Sequence, residues 1–191
     1  MMAYDNIAVV VLAAGQGKRF GGDKLSAELD GQPIGLHAAK MLASMGFGWQ
    51  FAICNRALSR QFVTFGFAPV INEDPEVGQS RSLHLAIESA LKTDAEALLV
   101  CLADMPFVSA DHIGALIAEW GRANGVIAST EGTMKMPPAL FPRAYWPALL
   151  ETKGDSGARH LLAKARLVSA LPQSLIDIDT QEDLAAASAA L

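Results

Sequence analysis

An apolar segment from Ile7 to Leu12 leads directly into a glycine-rich turn, and this junction constrains the fold more than any other part of the sequence. A short apolar run bounded by turn residues is typical of a buried β-strand. Glycine lets the backbone approach a ligand without a clash from Cβ, and this turn contains Gly15, Gly17, Gly21 and Gly22. The junction therefore predicts a phosphate-binding loop at the end of a buried strand.

The same turn carries Lys18, Arg19 and Lys24, which can neutralise the charge of a triphosphate. Two familiar phosphate loops do not match it. The dinucleotide-binding pattern G-x-G-x-x-G requires a third glycine where Phe20 stands. The Walker A pattern requires Ser or Thr after Gly-Lys, and Arg19 occupies that position. The remaining pattern, L-A-A-G-x-G-x-R-x-G-x-x-K, resembles the signature loop of the nucleotidyltransferases, and this resemblance implies a loop that activates a nucleoside triphosphate.

The composition predicts one globular domain spanning residues 1–191. The chain is 51% hydrophobic and 18% charged, which is enough apolar material for a sizeable core. A formal net charge of −5 argues against a nucleic-acid partner bound through a basic surface. The run Ile7–Leu12 is far too short to span a membrane, so we expect a cytoplasmic protein with no membrane partner. Cys54 and Cys101 lie in apolar runs and are expected to be reduced core thiols.

Short apolar runs alternate with helical patterns along the chain, which predicts an α/β fold with a mainly parallel sheet. The predicted strands are Ile7–Leu12, Gln50–Cys54, Ala68–Ile71, Ala97–Leu102, Gly125–Ser129, Ala139–Phe141 and Leu167–Leu171. The predicted helices are Ile34–Met45, Leu58–Phe65, Ser80–Leu91, Ala110–Ala123, Tyr145–Leu150, Ala158–Ala165 and Gln181–Ala190.

Two carboxylates are candidate metal ligands. Asp104 follows a hydrophobic strand, where the carboxyl end of a parallel sheet lines the ligand crevice, and a carboxylate there can hold Mg²⁺. It could instead only cap the turn before Pro106. Alternation places Asp177 and Asp179 on one side of a short predicted strand. Spacing alone leaves two alternatives open. Asp179 could complete a metal site, or it could be solvated and help to cap the next helix. Thr180 and Asp183 also resemble a capping pair for that helix.

Two further segments offer ligand-binding groups at predicted helix starts. Gly78, Gln79, Ser80 and Ser82 follow Asn72 and suit the edge of a nucleobase or sugar, although Ser80 could simply cap the helix. A later segment could receive an anionic substrate, although its aspartate could instead bind the helix amides. Its candidate residues are Gly154, Asp155, Gly157 and Arg159.

These motifs together resemble the MobA-like NTP transferase family. The elements occur in the family's order, from the Gly15–Lys24 loop through Gly78–Leu83, Leu102–Pro106 and Gly154–Arg159 to the D-x-D-T-x-E-D-L stretch at Asp177–Leu184. The resemblance implies a Rossmann-like three-layer α/β/α nucleotidyltransferase fold. The Leu12–Gly15 start and the Gly154–Arg159 segment are most similar to the MocA-like molybdenum cofactor cytidylyltransferases.

The resemblance implies Mg²⁺-dependent transfer of a nucleoside monophosphate from an NTP, with CTP favoured over GTP, to a phosphorylated acceptor, with molybdopterin favoured. It also implies a molybdoenzyme or its chaperone as a protein partner. A catalytically silent nucleotide-binding protein on the same fold is the alternative of another class. The implied catalytic residues are Arg19, Lys24 and Asp104, and the implied metal ligands are Asp104 and Asp179. The implied nucleotide-binding residues are Leu12, Ala13, Ala14, Gly15, Gly17, Lys24, Asn72, Gly78, Gln79, Ser80 and Ser82, and the acceptor-binding ones are Gly154, Asp155, Gly157 and Arg159.

The chain departs from the family where a G-x-P substrate segment is expected. Met134, Lys135 and Met136 precede Pro137 and Pro138 there. We expect these residues to form a loop that faces the substrate, and the departure leaves recognition of the acceptor open.

Overall fold

A seven-stranded sheet forms the centre of the computed structural model, which describes residues 4–15, 17, 19–123, 125–154 and 158–189. In chain order the strands are β1 (Tyr4–Ala13), β2 (Glu28–Leu29), β3 (Gln32–Pro33), β4 (Phe47–Cys54), β5 (Ala68–Ile71), β6 (Ala97–Leu102), β7 (Ile127–Glu131), β8 (Met134–Pro142) and β9 (Arg166–Ser169). The strand order across the sheet is β5-β4-β1-β6-β8-β7-β9, while β2 and β3 pair separately. Among the described strands of the large sheet, only β8 runs antiparallel to its neighbours.

The first strand lies inside the sheet, parallel to both of its neighbours. Val11 is paired with Ala52 of β4 on one side and with Cys101 of β6 on the other. Because parallel strands end at the same edge, the turn after β1 and the turn after β6 lie side by side. The mainly parallel sheet predicted from the sequence is confirmed.

Helices cover both faces of the sheet. They are α1 (His37–Ala43), α2 (Arg56–Thr64), α3 (Gln79–Ala90), α4 (Ala110–Ala123), α5 (Trp146–Leu150), α6 (Arg159–Leu162) and α7 (Gln181–Ala189). Side chains of α1, α2, α4 and α7 pack with Val9 and Val11 of β1, while α3, α5 and α6 pack with Ala8 and Val10. Alternate residues of a strand face opposite sides, so β1 supplies both cores. The three-layer α/β/α arrangement is confirmed.

Two local predictions are wrong. Residues Met134–Pro138 belong to strand β8 and not to a loop, because Gly132 (φ 62°) turns the chain and Met134–Met136 then pairs with β7. The pairing shifts between Ala128 and Ser129, opposite the two prolines, which have no N–H to donate to a neighbouring strand. The segment around Asp177 and Asp179 is irregular and not a strand.

Both cysteines are free and buried, as the sequence predicts. Burial raises the pKa of the Cys54 thiol to about 11 and that of the Cys101 thiol to about 12. Neither thiol is therefore a reactive thiolate at neutral pH. None of the described helices is long and apolar enough to cross a membrane.

A buried hydrogen-bond chain joins α4 to the sheet. The Ser129 hydroxyl donates to the carbonyl of Pro138 at 2.7 Å and lies 2.8 Å from His112 Nε2. Since the hydroxyl proton is already used, the network assigns the N–H of the imidazole to Nε2. Burial lowers the pKa of His112, so the folded protein favours the neutral ring.

His112 should make folding stability depend on pH. A lowered folded-state pKa means that the unfolded chain binds the proton first, so stability falls as pH drops below about 6.5. His112→Gln keeps a polar atom near the Nε2 position without titrating. We expect it to lose about 1 kcal/mol at pH 7.5 and to have a flatter stability profile between pH 7.5 and 5.0, measured by urea unfolding. Parallel profiles for the two proteins would contradict this role.

Candidate active site

A cleft of about 500 Å³ opens at the carboxyl ends of β1 and β6. Most of the residues predicted to bind or activate a nucleotide line it. They are Leu12, Ala14, Gly15, Gly17, Arg19, Lys24, Gly78, Gln79, Ser82, Asp104 and Asp179. Leu25, Pro75, Glu76 and Leu102 also line the cleft and were missed. Three of these could have been predicted to line the cleft from their position in the sequence, because Leu102 ends a predicted strand and Pro75 and Glu76 precede Gly78. Nothing in the local sequence predicts the same for Leu25.

The glycine-rich loop folds back on itself after β1. Gly17 has φ 57°, and a Cβ there would lie 2.9 Å from the carbonyl oxygen of Gly22. The N–H of Phe20 donates to Gly17, and the buried Phe20 ring joins the core. A side chain at position 17 would therefore be strained and crowded, whereas the phenylalanine at position 20 anchors the loop. Gln16 and Lys18 lie outside the described residues.

Lys24 reaches into the cleft from the end of this loop. It opens a single 3₁₀ turn, Lys24–Ser26, and is only 6% exposed. Its Nζ donates to Asp104 Oδ2 at 2.8 Å and to Asp179 Oδ1 at 2.9 Å. Burial by itself would lower the pKa of Lys24, but the two carboxylates outweigh it and raise the pKa above its usual value. The ammonium group is therefore charged and shared by both aspartates.

Asp104 is fixed by backbone contacts at the end of β6. The preceding N–H, of Ala103, donates to the carbonyl of Leu12 at 3.1 Å, and the carbonyl of Asp104 accepts from the N–H of Ile178 at 2.9 Å. Asp104 therefore joins β1, β6 and the segment that carries Asp179. Its Oδ1 is buried and has no hydrogen-bond partner among the residues that the structure describes. An unpaired buried carboxylate oxygen is costly, which indicates that a ligand or ion completes it.

Asp179 is held at the start of α7 by a capping arrangement. Asp183 Oδ2 accepts from the backbone N–H of Asp179 at 3.0 Å and of Thr180 at 2.8 Å. The N–H of Asp183 in turn donates to Thr180 Oγ1 at 3.1 Å. The pKa of the Asp183 carboxyl is lowered, first by a hydrogen bond of that carboxyl with the Thr180 side chain and then by those with the backbone N–H groups of Asp179 and Thr180. The predicted cap is confirmed, and it leaves the Asp179 carboxylate free to face Lys24.

Arg19 completes the charged cluster from the solvent side. Its guanidinium lies 2.6 Å from Asp179 Oδ2, and 76% of its side chain is exposed. An exposed ion pair of this kind contributes little to stability and is easily exchanged. Arg19 can therefore turn from Asp179 to an incoming anion.

The pair of aspartates fits a hard divalent cation. Both are oxygen donors, and Asp104 Oδ1 is unsatisfied. Within the described ranges, no group of three or more His, Cys, Asp or Glu side chains could hold a metal by itself. Mg²⁺ usually takes one or two carboxylates and completes its coordination with water and substrate phosphate. The cluster suits a metal that arrives with a phosphorylated ligand.

Three residues predicted to bind nucleotide do not reach the cleft. Ala13 packs into the core, and Ser80 is buried with 2% exposure. The side-chain amide of Asn72 donates to Ser82 Oγ at 3.0 Å and its Oδ1 accepts from the N–H of Asp74. Asn72 therefore holds the turn before α3 in shape. The alternative in which Ser80 caps α3 is also wrong, because Gly78 precedes the first residue of that helix.

A second cavity of about 280 Å³ adjoins the cleft, and Leu12, Gln79 and Leu102 line both. Its charged lining residues in the described part of the chain are Lys135, Arg159 and Asp177. Apolar side chains form most of the remaining wall: Leu83, Val100, Met105, Met136, Pro137, Ala139, Phe141, Ala158, Leu162 and Leu175. Lys135, Met136 and Pro137 therefore line a cavity from within strand β8. Burial and the neighbouring Asp179 raise the pKa of Asp177.

The predicted acceptor segment is only partly represented at this cavity. Arg159 lines it, Gly154 does not, and Asp155 and Gly157 lie outside the described residues. Helix α6 has only 4 residues, shorter than predicted. A single helical turn has too small a dipole to bind an anion by its N-terminus, so the side chain of Arg159 is the remaining anion-binding group.

The cap at Asp183 should contribute to both stability and site geometry. Asp183→Ala removes the acceptor for two backbone N–H groups and should cost about 1 kcal/mol in urea unfolding. Glu182→Ala is the matched control, because it removes a charge from the same first turn of α7. Equal destabilisation by the two variants would show that charge at the helix start matters and the cap does not.

Comparison with known proteins identifies the family. The model of the MobA-like NTP transferase domain matches residues 9–170. Purine catabolism protein PucB of Bacillus subtilis is 30% identical, and the alignment covers 91% of this chain and 92% of that protein. Molybdenum cofactor guanylyltransferase of Shewanella sediminis is 26% identical over 92% of each chain.

A solved structure supports the fold. Rv0371c of Mycobacterium tuberculosis H37Rv, in a complex with manganese, superposes with a TM-score of 0.76 and 21% sequence identity. The match covers 97% of this chain and 100% of the other. The family model spans most of the sequence, from within β1 past Lys24 and Asp104 to the end of β9, and it ends before Asp179. The chain belongs to the MobA-like NTP transferase family and is a nucleotidyltransferase of that family.

Proposed function

We propose that the protein transfers a nucleoside monophosphate from CTP to the phosphate of molybdopterin, with Mg²⁺ and with release of pyrophosphate. The observation that carries this proposal is the position of the Lys24–Asp104–Asp179 cluster. It lines the cleft together with the glycine-rich loop, and this cleft adjoins the apolar second cavity at Leu12, Gln79 and Leu102. A donor triphosphate and a separate acceptor would therefore meet at the charged cluster.

The loop after β1 would bind the triphosphate. Gly15 and Gly17 line the cleft, where backbone N–H groups can donate to the β- and γ-phosphates. Among the described cations, Lys24 and Arg19 form ion pairs with the two aspartates, and they would stabilise charge on the α-phosphate and on the departing pyrophosphate. The guanidinium of Arg19 is exposed and can move as that charge develops.

Asp104 and Asp179 would hold the metal. When bound, Mg²⁺ would neutralise phosphate charge and polarise the bond to the leaving group. The unsatisfied Oδ1 of Asp104 supports this assignment. The two side chains are mounted on different elements, one after β6 and one before α7, and Ile178 couples them through its hydrogen bond to the carbonyl of Asp104.

The acceptor would enter from the second cavity. Its apolar wall suits a flat heterocycle, and Lys135 and Arg159 supply positive charge for a phosphate. An oxygen of that phosphate would form a bond to the α-phosphorus, while the bond from the α-phosphorus to the bridging oxygen breaks. The electron pair leaves with pyrophosphate. The protein contributes orientation and electrostatic stabilisation and forms no covalent bond.

The choice of CTP rests on the Leu12–Gly15 start of the loop and on the Gly154–Arg159 segment, which resemble the cytidylyltransferases. GTP is the second candidate, supported by the relative named as a guanylyltransferase. We further propose that residues 1–191 act as one cytoplasmic domain that passes its product to a molybdoenzyme or its chaperone.

The function can be tested by measuring pyrophosphate release with each of the four NTPs. Each NTP is combined with molybdopterin or with one of several sugar phosphates, in the presence of Mg²⁺. We expect release with CTP and molybdopterin, at a rate well above all other pairs. Release with GTP and molybdopterin would show that GTP is the donor in place of CTP. Release with a sugar phosphate would show that the acceptor is not molybdopterin.

Asp104→Asn should abolish this release, since it removes the charge of a proposed metal ligand. Asp94→Asn is the matched control, because Asp94 is exposed in the turn before β6. If Asp104→Asn keeps full Mg²⁺-dependent release, the metal assignment is wrong. Nucleotide binding without release for any acceptor would instead favour the catalytically silent protein.

Lys24→Ala should lower kcat more than it weakens nucleotide binding. The reason is that Lys24 would contact charge that increases during bond breaking, so its contribution is larger in the transition state. The loss expected for one such cation is about 10²–10³-fold in kcat. Steady-state kinetics with Lys92→Ala as an exposed control would test this, and an unchanged kcat with a raised KM would limit Lys24 to binding.

A further inference from the structure

Lys24 lies between the two proposed metal ligands. Its ammonium nitrogen is 2.8 Å from Asp104 Oδ2 and 2.9 Å from Asp179 Oδ1. These are the distances of charge-assisted hydrogen bonds, so the two inward-facing oxygens are already engaged. Only 7% of the lysine side chain is exposed, so water does not replace these contacts.

The carboxylates of Asp104 and Asp179 face the ammonium of Lys24 and the guanidinium of Arg19, so the formal charges of these four groups cancel. Asp177 is near enough to interact with Asp179, Asp104 and Lys24 and adds further negative charge. A divalent cation that joined this set would meet two carboxylates already neutralised by Lys24 and Arg19. It would also repel Lys24 strongly, because two cations would share the same pair of oxygens in a partly buried site.

Within the described ranges, one carboxylate oxygen of the cluster has no partner while Lys24 is in place: Asp104 Oδ1 is buried and unpaired, whereas Asp179 Oδ2 is paired with Arg19. Mg²⁺ needs six oxygen ligands at about 2.1 Å, and one carboxylate oxygen is a weak anchor for it. A metal shared by Asp104 and Asp179 therefore requires that Lys24 first move away.

We propose that Lys24 is an internal counter-ion that keeps the divalent metal out of the site until a triphosphate arrives. The phosphates would draw the ammonium of Lys24 and the guanidinium of Arg19 away from the aspartates, and the freed carboxylates would then accept the metal. This inference rests on the proposed function for the identity of the triphosphate. It adds an order of binding, in which metal and triphosphate enter cooperatively and the metal alone binds weakly.

The local structure permits this movement. Lys24 follows Gly21 and Gly22, where an added Cβ would contact nothing within 4 Å, so this side of the loop has open space. The lysine also has a flexible four-carbon stem that can carry its charge to a new partner without moving the backbone. Because the loop glycines and the aspartates line one cleft, the path is short.

The test measures binding of Mn²⁺ alone, without nucleotide or acceptor, by electron paramagnetic resonance of the free ion. We compare the natural protein with Lys24→Gln, which removes the charge and keeps a polar side chain, and with the exposed control Lys92→Gln. We expect Lys24→Gln to bind Mn²⁺ at least about tenfold more tightly than the other two proteins. Adding Asp104→Asn to Lys24→Gln should abolish the gain, which would locate the ion. Circular dichroism verifies that each variant is folded.

Equal Mn²⁺ affinity for the natural protein and Lys24→Gln would overturn the proposal, as would a gain that persists in the Asp104→Asn double variant. A second measurement needs no lysine variant. By reciprocity, Mn²⁺ should raise the affinity of the protein for inorganic triphosphate. After correction for chelation, we expect this increase to be at least about tenfold larger in the natural protein than in Asp104→Asn. An equal increase in both proteins would also overturn it.

These outcomes are separable from the proposed activity. The Mn²⁺ measurements use neither CTP nor molybdopterin, so they hold whichever donor and acceptor the pyrophosphate assay identifies. Absence of pyrophosphate release from every pair would remove the proposed activity and leave the metal result intact. Pyrophosphate release by the natural protein, together with an unchanged Mn²⁺ affinity in Lys24→Gln, would support the proposed activity and contradict the counter-ion role of Lys24.

Discussion

The contact of one buried ammonium with two carboxylates organises the site. Lys24 is 80 residues from Asp104 and 155 from Asp179 along the chain, yet its Nζ hydrogen-bonds both. Without that charge, two aspartates would face one another in a poorly solvated cleft, which favours separation of the segments that carry them. The ion pairs therefore join the loop after β1, the end of β6 and the start of α7 into one site.

Main-chain contacts also bring these side chains together. Placing β1 beside β6 in parallel brings the glycine loop and Asp104 to the same edge, and the hydrogen bond from Ala103 to Leu12 extends the pairing beyond the strands. The late segment is attached by Ile178, which is fully buried and donates its N–H to Asp104. The cap by Asp183 then fixes the direction in which α7 leaves. Every element of the site is therefore positioned by a main-chain contact as well as by its charge.

Features encoded locally could be predicted from the sequence. The strand before Asp104 and the helix Ala110–Ala123 have the predicted bounds, because apolar periodicity and flanking turn residues determine them. The buried role of Asn72 and the irregular segment around Asp179 could not be predicted, because both depend on partners distant in the chain or across a turn. The sequence did not predict that Met134–Met136 pairs with β7, because two prolines follow this segment. The shift in register between the two strands depends on the neighbouring strand β7. The resemblance to a family identified Asp179, whereas its ion pair with a buried lysine required the tertiary structure.

The two cavities differ in the residues that line them. The larger one contains the glycine loop, Lys24 and both aspartates, whereas the smaller one is lined mainly by apolar residues together with Lys135, Arg159 and Asp177. They meet at Leu12 and Leu102, the terminal parts of two paired strands, and at Gln79, the first residue of α3. In the proposed transfer, the donor would bind on the side of the charged cluster and the acceptor on the side of the apolar wall. Substitutions in the part of β8 that lines the smaller cavity would then change acceptor binding and leave the charged cluster in place.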